Sequence, residues 1–112
     1  MNIKKLSLNL ITELLEAINQ ENLEVLKIKY QISEVVYEEI NEVLNSYFDN
    51  YKPKLYPNKN KFEIFKYDNC EDFGIEIDLK TETELTELTL HTELHKCDNE
   101  NYELKYKLIE VM

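Results

Sequence analysis

Between residues 73 and 95 the chain alternates apolar and polar side chains with period two. Phe73, Ile75, Ile77 and Leu79 fall on one side, and Glu76, Asp78 and Lys80 on the other. After a short turn, Leu88, Leu90 and Leu94 repeat the pattern against Thr89, His91, Glu93 and His95. Successive side chains of a strand point to opposite faces. The spacing therefore predicts a sheet with one dry face and one hydrated, carboxylate-rich face.

The residues before this stretch follow a helical period. Leu6, Leu10, Leu14 and Ile18, widened by Ile11 and Leu15, predict an amphipathic helix over 4–20. Asn22 is a candidate cap for a short helix over 23–30, and Ser33 for a third near 34–50. Glu34 sits in the first turn of the third helix, where the dipole favours a negative charge. Val36, Ile40, Val43, Leu44, Tyr47 and Tyr51 form its expected buried stripe. Both prolines, Pro53 and Pro57, fall in 51–60, which reads as a loop.

Strands are expected near 61–67, 73–80, 86–95 and 101–110. In the last of these Tyr102, Leu104, Tyr106 and Leu108 alternate with Glu103, Lys105 and Lys107. Short connections make neighbours antiparallel. Gly74 points to a bulge or a close approach, and the misfit of Leu85 with Leu88 to a bulge near Glu87. The fold class is α+β: N-terminal helices (about 4–50) on one face of a four-stranded antiparallel meander (about 61–112), in a single domain over 1–112.

Charge narrows the function classes. The chain of 112 residues carries a net charge of −10, and all thirteen basic residues are Lys. Acidity concentrates at the two ends, while 51–67 is a basic patch bearing Tyr51, Tyr56 and Tyr67. An acidic surface repels nucleic acid and anionic lipid and attracts basic proteins. Without Arg, bidentate phosphate and guanine contacts lose their usual residue. The Lys, Asn, Ile and Glu content resembles that of proteins from AT-rich bacteria. Cys70 and Cys97 form no CxxC pair and read as reduced thiols. The N-terminal segment is amphipathic, interrupted by Asn9, Thr12, Glu13 and Glu16, and is neither a signal peptide nor a membrane span. A cytoplasmic protein is expected.

The stretch Phe73-Gly74-Ile75-Glu76-Ile77-Asp78-Leu79-Lys80-Thr81-Glu82, continuing to Leu88-Thr89-Leu90, resembles a family of small bacterial domains akin to the NTF2-like and cystatin-like groups. There an aromatic-x-Val-Glu-Val-x-Leu strand runs into Trp-Thr-Glu-Glu, a Gly-Arg-Ser-Asp turn and a Leu-Thr-Leu strand. Here Lys80 stands for the Trp and Glu84-Leu85-Thr86-Glu87 for the turn, so any role of its Arg is absent. The likeness is looser over the helices, Tyr102-x-Leu104 and Ile109-x-Val111. It implies a fold and transfers no activity. Some domains of this general shape lie beside toxin genes, so an immunity or inhibitor role is carried as one expectation.

Ligand-type residues gather in His91-x-Glu93-x-His95-x-Cys97. On a strand, alternate residues are roughly 7 Å apart, so His91 with Glu93, or Glu93 with His95, could share a metal. His91 and His95, roughly 13 Å apart, could not. A tetrahedral site would need another strand, and the cluster reads as a solvated face. Glu76 with Asp78 could form an acid/base pair only if burial split their pKa values. Cys97 with His95 is a formal nucleophile–base pair, but neighbours on one strand face do not by themselves make a triad, and Asp72-Phe73-Gly74 matches a kinase element without its companion loops.

The expected function is a non-enzymatic protein-binding domain, an immunity-type inhibitor being one form of it. It would present Glu76, Asp78, Glu82, Glu84, Glu87 and Glu93, with Tyr51 and Tyr56 as aromatic contacts, to a basic protein partner. No catalytic residue, cofactor, metal, nucleic acid or membrane is expected, and a homodimer through an exposed strand edge is possible. The alternative is an NTF2-like small-ligand binder or enzyme, with a pocket between helices and sheet lined by Tyr30, Tyr37, Tyr47 and Tyr106.

Overall fold

The structure is a computed structural model and describes residues 2–68, 70–98 and 101–112. Short polar side chains start each helix. Asn2 Oδ1 accepts from the Lys5 amide at 3.1 Å and opens α1 (Ile3–Asn19). Asn22 Oδ1 accepts from the Val25 amide at 3.2 Å and opens α2 (Leu23–Tyr30). Ser33 Oγ accepts from the Val36 amide at 3.3 Å and opens α3 (Glu34–Tyr47). Each cap satisfies an amide that has no intrahelical acceptor.

Two expectations about the helices need correction. The buried stripe of α1 is centred on Ser7, Ile11, Leu14, Leu15 and Ile18, with Leu6 and Leu10 at its margin. The small Ser7 side chain occupies a fully buried position that the leucine spacing assigned to its neighbours. The third helix ends at Tyr47 rather than at 50. Asp49 and Asn50 adopt φ of 52° and 66°, a left-handed conformation that these two residue types tolerate and a helix does not. Tyr51 consequently leaves the stripe and is 68% exposed.

Four antiparallel strands follow in the spatial order of the sequence: β1 (Tyr56–Lys66), β2 (Phe73–Lys80), β3 (Leu85–Lys96) and β4 (Tyr102–Val111). The first begins inside the expected loop. Pro57 pairs with Leu79 because β1 is an edge strand, where a missing amide donor is tolerated, and the register then slips between Pro57 and Phe62. The bulge expected near Glu87 is present. Asp78 faces Thr89 but Lys80 faces Leu85, so β3 carries extra residues there. Thr86 Oγ1 occupies the gap, donating to Leu79 O at 2.7 Å and accepting from the Leu88 amide at 3.1 Å.

A second bulge was not expected. His91 faces Leu108 and Thr92 faces Tyr106, which leaves Lys107 without an opposite residue. Beyond it the parity of β4 reverses. Ile109 turns inward (4% exposed) and Leu108, assigned to the dry face by simple alternation, turns outward (42%).

The helices lie against the dry face. Ile75, Ile77, Leu79, Leu88, Leu90, Leu94, Leu104 and Ile109 form one core with Ile11, Leu14, Leu15, Leu26, Ile32, Ile40 and Leu55. Asn19 fastens the helix–sheet connection to α1 by a reciprocal pair: its Nδ2 donates to Leu55 O at 3.0 Å and its Oδ1 accepts from Leu55 N at 2.8 Å. Among the described residues no helix is long and apolar enough to cross a membrane.

Candidate functional site

Putting every helix on one side leaves the opposite side of the sheet bare. Register then dictates which side chains meet there. Across the four strands Phe65, Gly74, Glu93 and Lys105 form one row, and Glu63, Glu76, His91 and Leu108 the next. Asp78, Thr89 and Glu110 form a third. At the far end Asp72 approaches His95, which faces Glu103.

Each imidazole sits between two carboxylates. His91 Nδ1 is 3.4 Å from Glu76 Oε1, and its Nε2 is 2.6 Å from Glu110 Oε1. The second contact is electrostatic only: Nε2 is buried and makes no aligned hydrogen bond. His95 Nδ1 is 2.7 Å from Asp72 Oδ2, and its Nε2 is 3.6 Å from Glu93 Oε1. Glu93 also accepts from the Tyr67 hydroxyl at 2.8 Å and lies 3.6 Å from Lys107 Nζ. Burial, then the Glu93 hydrogen bond, pushes the Tyr67 phenol up to about 12, because ionising it would place a second negative charge beside the carboxylate.

The face is less wet than the alternation implies. The His91, Glu93 and Asp72 side chains are only 20%, 20% and 24% exposed, shielded by each other rather than by a helix. Gly74 explains part of that cover. A Cβ there would collide with Phe65 Cε2 and lie 2.9 Å from the Tyr67 hydroxyl. Having none, Gly74 lets the Phe65–Tyr67 edge-on pair, with ring centroids 5.8 Å apart, fold across the sheet. The sequence hint of a close approach at Gly74 is thereby met by an aromatic ring.

Seven of the eight residues expected at an interface divide between two places, and the eighth lies apart from both. Glu76, Asp78 and Glu93 share the open face, where Asp78 Oδ1 accepts from Thr89 Oγ1 at 2.9 Å. Tyr51, Glu82 and Glu84 line an open cleft where the β2–β3 turn approaches Phe48 and Pro53. Tyr56, a β1 residue and not a loop residue, donates to Glu82 there at 3.1 Å. Glu87 stands apart at the β3 bulge, its amide donating to the Tyr47 hydroxyl at 3.0 Å.

Sequence reasoning did not bring Asp72, Glu110 or Tyr67 to the histidines, where they complete the two imidazole clusters. Asp72 precedes its strand, and Glu110 reaches the open face only through the Lys107 bulge. The signal for that was the switch from even apolar positions (Tyr102, Leu104, Tyr106) to odd ones (Ile109, Val111).

Among the described residues no group of His, Cys, Asp or Glu side chains is arranged to hold a metal ion. Both nitrogens of each imidazole are directed at different carboxylates, so the donors diverge. Of the four tyrosines expected around a pocket, Tyr30 is buried in the core, its hydroxyl unpaired among the described residues. A cavity of about 40 Å³ lies instead where Ile18, Asn45, Phe48 and Leu55 meet, and it is lined by none of the four.

The fold and face define an α+β domain with helices preceding an antiparallel sheet that they cover on one side. Compared with family models, curated proteins and solved structures, the chain matches none.

Proposed function

We propose that the protein is a non-catalytic binding domain that docks a basic protein surface on the helix-free face of its sheet. The observation that carries this reading is the composition of that face. Seven carboxylates (Glu63, Asp72, Glu76, Asp78, Glu93, Glu103 and Glu110) share it with exposed Phe65 and Leu108, each 42% accessible. Carboxylates around apolar contacts suit a partner with lysines or arginines around an apolar centre, the charges setting encounter rate and orientation. Bridging by imidazoles holds several of these side chains in place beforehand, which lowers the entropy cost of docking.

Inhibition of a basic toxin by a cytoplasmic immunity-type protein is one biological form this could take. Its support is the acidic charge of the open face together with the resemblance of residues 73–90. The small-ligand reading calls for an enclosed pocket of at least about 300 Å³ between helices and sheet; the cavity beside Ile18 and Leu55 holds about 40 Å³, and the larger spaces of about 470–640 Å³ are open surface depressions, lined among the four expected tyrosines by Tyr47 alone.

The test compares proteins retained from a lysate of the source organism by immobilised wild type and by an Asp78→Lys/Glu63→Lys variant. A specific partner should be basic, should be lost from the variant, and should associate more slowly as salt rises, because charges farther apart than about 8 Å are screened at physiological ionic strength. Retention indifferent to both charge reversal and salt would refute docking on this face. Light scattering that showed a dimer sensitive to the same substitutions would reassign the face to a second copy of the chain.

A further inference from the structure

The connection from α3 to β1 and the turn from β2 to β3 border an open cleft of about 530 Å³, with Phe48, Tyr51 and Pro53 in the first wall and residues 81–84 in the second. None of its lining residues belongs to the rows of the helix-free face. Both walls are held by contacts within the chain. On the first, Asp49 and Asn50 (φ 52° and 66°) turn the backbone, and the Tyr51 amide donates to Phe48 O at 3.1 Å. Phe48 packs edge-on against Tyr47, with ring centroids 4.8 Å apart. Lys52 reaches Glu21 at 2.9 Å, and Asn19 holds both backbone groups of Leu55. On the second, Thr81 Oγ1 accepts from the Thr83 and Glu84 amides at 3.3 and 3.0 Å, and the Thr81 amide donates to Glu84 O at 2.8 Å. The Tyr56 hydroxyl straps that turn to β1 through Glu82. Tyr51 is thereby presented to solvent, 68% exposed, instead of joining the core.

These features select the kind of ligand that fits. The amides of Phe48, Tyr51, Thr81, Thr83 and Glu84 are engaged inside the protein, and Pro53 has none. A segment laid in the cleft finds few backbone donors, which disfavours docking as an added strand. It finds aromatic and proline rings instead. A polyproline II segment is extended without hydrogen bonds of its own and docks on aromatic-lined grooves through its side chains. Charge narrows the choice again. The lining sets Glu82 and Glu84 against Lys54, a net charge of −1 (two acids less one base). Among the described residues neither carboxylate is held in an ion pair, and Glu82 meets only the neutral Tyr56 hydroxyl.

We infer that this cleft binds an extended, proline-bearing segment of a partner protein that carries Lys or Arg beside its prolines. Proline and aliphatic side chains rest on Tyr51, Phe48 and Pro53, and the cation meets Glu82 and Glu84. The site is separate from the docking face proposed above and stands without it.

The experiment follows the amide NMR spectrum of the isotope-labelled full chain during titration with a blocked peptide, acetyl-Pro-Leu-Pro-Pro-Lys-Lys amide, at physiological salt. Saturable shifts are expected, confined to residues 48–55 and 81–84 and their immediate neighbours. Tyr51→Ala should weaken binding by about tenfold, as loss of a central aromatic contact does. Because that side chain is exposed, the rest of the spectrum should stay in place and report an intact fold. Glu84→Lys should weaken binding by about threefold or more. A peptide with Glu in place of both Lys should not bind, and one with Ala in place of every Pro should bind more weakly. The Asp78→Lys/Glu63→Lys variant should bind as the wild type does, within about twofold, since its charges act through screened solvent. Absence of saturable shifts, shifts centred on the helix-free face, a Tyr51→Ala variant that binds as tightly, or equal binding of the Ala peptide would each overturn the inference.

Discussion

Thr92 and Thr89 lie on the same strand, and replacing each by Val should move stability in opposite directions. Thr92 is on the dry face between Leu90 and Leu94, opposite Ile75 and Tyr106, and is 2% exposed. Its Oγ1 is buried and has no hydrogen-bond partner among the described residues. A buried unpaired hydroxyl costs about 1–3 kcal/mol, and Val fills the same volume without it. Thr92→Val should therefore gain about 1–2 kcal/mol, the lower part of that range, because the new methyl must still fit against its neighbours. At about 2 cal/mol/K of unfolding entropy per residue, that is a rise in Tm of about 4–8 °C for a chain of this size. Thr89 Oγ1, by contrast, donates to Asp78 at 2.9 Å from a position 4% exposed. Thr89→Val should lose about 1–2 kcal/mol and leave the carboxylate short of a donor. Urea unfolding followed by circular dichroism measures both, with an unchanged slope as the check that the unfolded state is the same. If Thr92→Val is neutral or destabilising, or if both variants shift the same way, the assignment of the two hydroxyls is wrong.

Burial pushes the Tyr67 and Tyr106 phenols up to about 12, against an ordinary value of 10.0. A raised folded-state pKa means that their contribution is intact below pH 10 and is lost as pH climbs toward 12; alkaline ultraviolet titration should show these tyrosinates forming late, and Tyr67→Phe should remove one of them. Gly74→Ala drives a methyl into the Phe65 ring and the Tyr67 hydroxyl. It should cost about 1–3 kcal/mol, the usual penalty for overpacking, and return the Tyr67 titration toward its ordinary range; an unchanged titration would refute the placement of that ring. Asn19→Ala removes both bonds to Leu55 and should cost about 1–3 kcal/mol, with faster hydrogen exchange at the Leu55 amide.

The architecture was legible wherever local chemistry and period agree. Asn22 and Ser33 cap their helices because a short acceptor next to an apolar period leaves few alternatives. The 73–80 and 88–95 alternations set the sheet because one face had to be dry. What escaped depended on partners distant in sequence. Pro57 looked like loop until β1 proved to be an edge, and the burial of Ser7, which lies outside the leucine spacing, follows only from how α1 rests on the sheet. The candidate face was half legible. Glu76, Asp78 and Glu93 follow from parity alone, whereas Asp72 and Glu110 depend on a turn and a bulge. Tyr51 was drawn into a helix that Asp49 and Asn50 end.

The interruptions in β1 and β4 bear on how the molecule behaves when crowded. Fibrillar stacking and strand-for-strand growth require a straight rim with a regular ladder of free amides and carbonyls. One outer strand here carries a proline and a slipped stretch, and the other a kink at Lys107. Neither rim is a good template, so a sticky sheet can stay bare on one side at high concentration without nucleating aggregates.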